Sequence, residues 1–100
     1  MNNLTGFQRD LVYTIAGMEE PHGLAIKEEI QDYREETINH GRLYPNLDTL
    51  VDQGYVDKGE KDRRTNSYTL TPFAWEEISS RSEWVDKNIK QNPGPAKASD

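Results

Sequence analysis

The chain has no cysteine. That excludes disulfides, thiolate metal sites and cysteine nucleophiles together, and leaves packing, with a second copy of the chain, as the sources of stability for so short a sequence. Its two histidines, His22 and His40, have no further histidine or cysteine at ligand spacing, so no metal site is expected. No apolar run approaches the roughly 20 residues needed to cross a bilayer. Residues 1–10 show neither the basic start nor the apolar stretch of a secretory signal, and a cytoplasmic protein without membrane contact is expected. Catalytic groups do not assemble either. The paired acids Glu19-Glu20, Glu28-Glu29 and Glu35-Glu36 fall on outward helix positions with no nucleophile or glycine-rich phosphate loop beside them. They read as a solvated face, and neither enzymatic activity nor a cofactor is expected.

What is present is economical: 100 residues, 33% hydrophobic and 30% charged, fit one small domain. A net charge of −6 argues against a polycation that coats nucleic acid or membrane, but leaves room for a local basic patch. The charge is unevenly placed. Residues 1–36 carry three bases against eight acids, a balance of −5; residues 37–71 carry five of each; residues 72–100 carry four bases against five acids. Positive side chains gather only in the middle third.

Periodicity divides the chain. Thr5 with Gln8 three residues on caps a first helix over about 5–18, whose apolar stripe is Leu4, Phe7, Leu11, Val12, Ile15 and Met18. After the Pro21 to Gly23 break, Leu24, Ile26, Ile30 and Tyr33 carry a second helix to about Glu36. Leu43, Tyr44, Leu47, Leu50 and Val51 form a third stripe, which Gly54 ends. The period then changes: Tyr55 to Lys58 and Ser67 to Thr71 are β-prone and flank a polar, basic stretch, which predicts a hairpin with a long basic tip. Thr71 and Pro72 open a final helix running to about Gln91, with residues 92–100 expected to be disordered.

Three helices, a two-stranded wing and a further helix make an α+β, mainly α fold, in the order of a winged helix-turn-helix over residues 1–71 followed by a C-terminal dimerisation helix over 72–91. The polar residues sit where such a domain meets DNA. Asn39, His40, Arg42, Tyr44 and Asn46 cluster at the start of the third helix, and Lys58, Lys61, Arg63, Arg64 and Asn66 surround the hairpin. A helix fits the major groove, where arginine addresses guanine and asparagine addresses adenine, whereas the narrower minor groove attracts a flexible arginine. Arg42 and Asn46 are therefore expected at base edges and Arg63 in the minor groove. Asn39, His40, Lys58, Lys61 and Arg64 are expected at phosphates.

The run Gly41-Arg42-Leu43-Tyr44-Pro45-Asn46-Leu47-Asp48-Thr49-Leu50, then Gly54-Tyr55-Val56 and Tyr68-Thr69-Leu70-Thr71, resembles the PadR-like winged-helix transcriptional regulators. Pro21-His22-Gly23-Leu24-Ala25-Ile26 resembles the start of that family's second helix, and the likeness covers about residues 5–90. It implies a regulator that binds a two-fold symmetric operator as a homodimer, as in the short subclass without a larger C-terminal domain. Phe7, Trp75, Ile78, Trp84, Val85 and Ile89 are expected at the dimer interface. The acidic excess with only six lysines resembles proteins of salt-loving archaea, and cations are expected to bridge the acidic surface and the DNA. Two other readings use the same residues: a winged-helix module for protein contacts, and a sensor holding a small aromatic ligand near Trp75 and Trp84.

Overall fold

Capping chemistry fixes the start of every helix. The Thr5 hydroxyl accepts from the Gln8 amide at 3.1 Å while the Gln8 side chain accepts from the Thr5 amide at 3.0 Å, a reciprocal box that opens α1 (Gly6–Ala16). His22 Nδ1 accepts from the Ala25 amide to open α2 (Gly23–Arg34), and Asn39 Oδ1 accepts from the Arg42 amide to open α3 (His40–Asp52). Thr71 caps α4 (Pro72–Gln91), with Pro72 in its first turn, where the missing N–H costs nothing. Between α3 and α4 run β1 (Val56–Glu60) and β2 (Asn66–Leu70), antiparallel in a register from Val56 opposite Leu70 to Glu60 opposite Asn66. The computed structural model describes residues 1–60, 65–92 and 94. The predicted element order holds. Lys61, Arg63 and Arg64, and all of the expected tail except Asn92 and Gly94, lie outside the described residues.

Gly54 does more than end a helix. At φ +84° it places its own amide on the Val51 carbonyl and the Tyr55 amide on the Leu50 carbonyl, the paired bonds of a Schellman motif. The chain leaves α3 with Tyr55 and Leu50 both buried, which aims β1 across the core.

That core joins all the elements. Leu11, Val12 and Ile15 of α1 meet Ile26 and Ile30 of α2, Ile38 of the following turn, and Leu43, Leu47 and Leu50 of α3; Val56 and Tyr68 close it from the wing and Ala74 from α4. The Tyr68 amide donates to the Pro21 carbonyl at 2.9 Å, and His22 pairs with Ser67, so the wing is stitched to the loop before α2. Phe7, expected at the dimer interface, is instead a core residue, only 7% exposed. It lies on the same stripe as Leu11 and Ile15, and that stripe is consumed within the chain.

Gly23 brings the start of α2 against Tyr44 of α3. A Cβ there would stand 2.4 Å from the Tyr44 hydroxyl and 2.7 Å from its Cε1, so the absence of a side chain lets the Tyr44 ring lie against the start of α2. Gly23→Ala should therefore destabilise the fold by about 1–3 kcal/mol through overpacking, despite alanine's better helix propensity. Thermal unfolding checks this, and the cost should shrink when Tyr44→Ala is made in the same chain.

α4 is mostly unpartnered. Ala74 is its sole buried residue and Ile78 packs partly on the core, while Val85 is half-buried and Trp84 and Ile89 are 61% and 55% exposed. The long axis of the molecule, 55 Å against 29 and 23 Å, reflects this projecting helix.

Candidate nucleic-acid interface

Helical geometry sorts the polar residues of α3 into two sets. Leu43, Leu47 and Leu50 point into the core, so His40, Gly41, Pro45, Asp48 and Asp52 point outward and are exposed. Arg42 and Asn46, each one residue before a buried leucine, fall on the flank beside α1. The Asn46 amide is engaged there: its Oδ1 accepts from Gln8 Nε2 at 3.0 Å and its Nδ2 donates to the Arg42 carbonyl at 2.7 Å. The Arg42 guanidinium lies over the Phe7 ring, 4.1 Å from its centre, and donates to Glu36. Asn46 is thus tied to α1, whereas the Arg42 side chain is paired with Glu36 while 40% exposed. Asn39 spends its carbonyl oxygen on the α3 cap. His40 is exposed and meets Tyr44 edge to face at 5.5 Å, with Tyr44 half-buried behind it. Pro45 lacks the N–H that would bond the Gly41 carbonyl, and both residues lie on the outward face.

The wing stands beside this face. Lys58 and Asn66 are exposed on β1 and β2, and Lys58 Nζ lies 3.7 Å from Asp48 Oδ1 of α3. His22, Gly23, Leu24, Tyr44, Asn66 and Tyr68 line an open cleft of about 340 Å³ where α2, α3 and the wing meet.

Arg42 belongs to a chain of charges. Glu36 accepts from Arg42 through one carboxylate oxygen and from Arg34 Nε at 3.3 Å through the other, and Arg34 Nη1 reaches Asp10 Oδ2 at 2.6 Å. The Arg42 hydrogen bond, followed by that from Arg34, holds the Glu36 carboxyl below its ordinary range. The Asp10 hydrogen bond raises Arg34. Sequence reasoning missed Gln8, Glu36 and Asp48 as partners of the site. Gln8 had a signal only as a cap, and the two acids had none beyond the local charge balance.

The family model for the transcriptional regulator PadR-like family matches residues 12–78, from mid α1 into α4. The chain belongs to the PadR-like family. A solved structure of RosR from H. salinarum, grown from NaBr, is 44% identical, covers 87% of this chain and 78% of that one, and superposes with a TM-score of 0.82. A complex structure of the same protein, designated RosR-S1, is 41% identical over 96% of this chain and 82% of that chain, with a TM-score of 0.82. A transcriptional regulator from Clostridium thermocellum shares the fold at 18% identity and a TM-score of 0.63, covering 86% of this chain and 88% of its own. No curated protein matches. This PadR-like protein is a DNA-binding transcriptional regulator with a winged helix, as its motifs implied.

The remaining expected residues are placed as follows. Trp75 is 49% exposed near the start of α4; Trp84 lines an open cleft of about 460 Å³ with Met1, Glu77 and Arg81, to which Trp75 does not contribute. The Met1 ammonium donates to Glu77 across that cleft's edge. Among the described residues no group of acids and histidines could hold a metal, and no helix is long and apolar enough to cross a membrane.

Proposed function

We propose that this PadR-like chain acts in the cytoplasm as a homodimeric repressor, by binding and without catalysis, on a two-fold symmetric operator. Residues 1–71 form the DNA-binding unit and residues 72–91 the dimerising helix. The outward face of α3 enters the major groove, led by His40 with Arg42 swinging from its flank to a base edge. Lys58 and Asn66 of the wing follow the flanking backbone, joined by Lys61, Arg63 and Arg64. The observation that carries this reading is the adjacency of the two elements: Asp48 of α3 and Lys58 of β1 lie 3.7 Å apart, so one duplex pressed against α3 meets the wing. Asn46, tied to Gln8 and to the Arg42 carbonyl, sets the angle of α3 on α1.

The test is a split between specificity and affinity. Arg42→Ala should cost about 1–3 kcal/mol on the preferred duplex and blur discrimination at one base pair of each half-site. Lys61→Ala should weaken all sequences about equally. Fluorescence anisotropy on preferred and random duplexes reads both, and equal weakening by Arg42→Ala would make Arg42 a backbone contact.

A further inference from the structure

The described cations that the two DNA-facing elements offer are already occupied by carboxylates of the same chain. At the start of α3, Arg42 is held by Glu36; on β1, Lys58 is held by Asp48 at 3.7 Å. These two pairs differ in what stands behind the acid. Glu36 keeps a second cation, Arg34, itself fixed by Asp10 at 2.6 Å and lying 5.3 Å from the centre of the same Phe7 ring. Glu35, in the left-handed region at φ +53°, turns the chain out of α2 and delivers Glu36 to this position. Asp48 has no second cation among the described residues and stands on the outward face of α3 itself.

We propose that Glu36 and Asp48 are internal stand-ins for DNA: they hold Arg42 and Lys58 in the free protein, and binding exchanges Glu36 for a base edge on Arg42 and Asp48 for a phosphate on Lys58. The proposal rests on the DNA-binding reading above and adds the residues that regulate its affinity and its response to salt. Glu36, once Arg42 leaves, keeps the hydrogen bond from Arg34, which it shares with Asp10, so the one negative charge left over is spread across that cluster and draws a cation less strongly than a bare carboxylate does. Asp48, once Lys58 turns to the backbone, is a bare carboxylate facing a polyanion and must take up a cation. Each phosphate contact releases roughly 0.9 of a condensed cation, and uptake at Asp48 cancels part of that release. Glu36 therefore sets chiefly how tightly the protein binds, and Asp48 chiefly how binding depends on salt. Both are positioning residues that act through the cation they hold.

The two variants Glu36→Gln and Asp48→Asn separate these roles. Duplexes are selected from a random-sequence pool by the wild-type protein, and affinity is followed by fluorescence anisotropy over about a decade of KCl up to molar concentration. Glu36→Gln should bind about two- to fivefold tighter near 0.1 M KCl, the strength expected of a released exposed ion pair, and should change the log–log slope by less than Asp48→Asn does. Asp48→Asn should steepen the slope by up to about 0.9 per protomer. Glu36→Asp, which keeps the charge, should behave as wild type. Weaker binding by Glu36→Gln, or an unchanged slope for Asp48→Asn, overturns the exchange while leaving DNA binding intact. Recovery of no bound duplex by the wild type at any salt overturns the DNA-binding reading and the exchange with it. Thermal unfolding confirms that each variant folds, and the Asp48→Asn arm decides the matter by itself should Glu36→Gln fail to do so.

Discussion

Replacing Val85 and Ile89 together with aspartate should give a monomer whose affinity for a symmetric DNA site falls by about 10²–10⁴-fold, the range by which linking two binding units exceeds either alone. The argument begins from burial. α4 runs 20 residues, yet beyond Ile78 it offers the core nothing, and Trp84 and Ile89 stand 61% and 55% exposed. An apolar stripe of this kind on a projecting helix has no solution within so small a domain, whereas the same stripe on a second copy buries both at once. Ile78 is the wrong position for the test. It packs partly on the core, so an aspartate there would unfold the chain as well as divide it. Val85 and Ile89 lie clear of the core, and their double variant should keep its helical content and its unfolding transition. Sedimentation at micromolar concentration reads the mass, and anisotropy on one half-site against two reads the loss of linkage. A wild-type monomer at that concentration, or a double variant binding the full site as well as wild type, would remove the dimer from the mechanism.

The element order was legible because its punctuation is local. Thr5 with Gln8, Gly54, and Thr71 with Pro72 each act on backbone groups within a few residues, so their chemistry can be read without knowing the fold. The orientation of the DNA-facing side chains was not, because it is decided between elements. Arg42 and Asn46 precede Leu43 and Leu47 by one residue, which places them on the border of the buried stripe. Whether a border residue faces solvent or a neighbouring helix depends on where α1 crosses, and it crosses with Phe7 under Arg42 and Gln8 against Asn46. Phe7 failed as an interface residue for the complementary reason. A stripe tells that a residue is buried against something, and here the something was α2 and α3 rather than a second chain. In the sequence Glu36 is half of a solvated acidic pair, since nothing there joins it to Arg34 and Arg42 across the turn that Glu35 makes.

Affinity for the selected duplex should change little between about 0.1 and 1 M KCl, where a protein of ordinary surface making about eight phosphate contacts would lose on the order of 10⁷. The four bases assigned to the backbone in each copy, Lys58, Lys61, Arg63 and Arg64, give eight in a dimer, so release alone would forbid binding at molar salt. Two distances separate the opposing effects. At 0.1 M the screening length is about 10 Å, and the balance of −5 over residues 1–36 repels the duplex from across the domain. At 1 M it is about 3 Å, and only acids in contact with the binding cations still matter. Glu29 lines a groove with Asp10, Tyr13, Thr14 and Tyr33 on the outer side of α1 and α2, whereas Glu36 and Asp48 touch Arg42 and Lys58. Glu28→Lys with Glu29→Lys should therefore strengthen binding near 0.1 M and converge on wild type near 1 M, because reversing two charges per copy, a change of four units, matters only while they are unscreened. A wild-type affinity that collapses steadily between about 0.05 and 0.2 M salt would show release acting unopposed. Equal strengthening by the lysine pair at low and high salt would place those two acids in contact with the DNA.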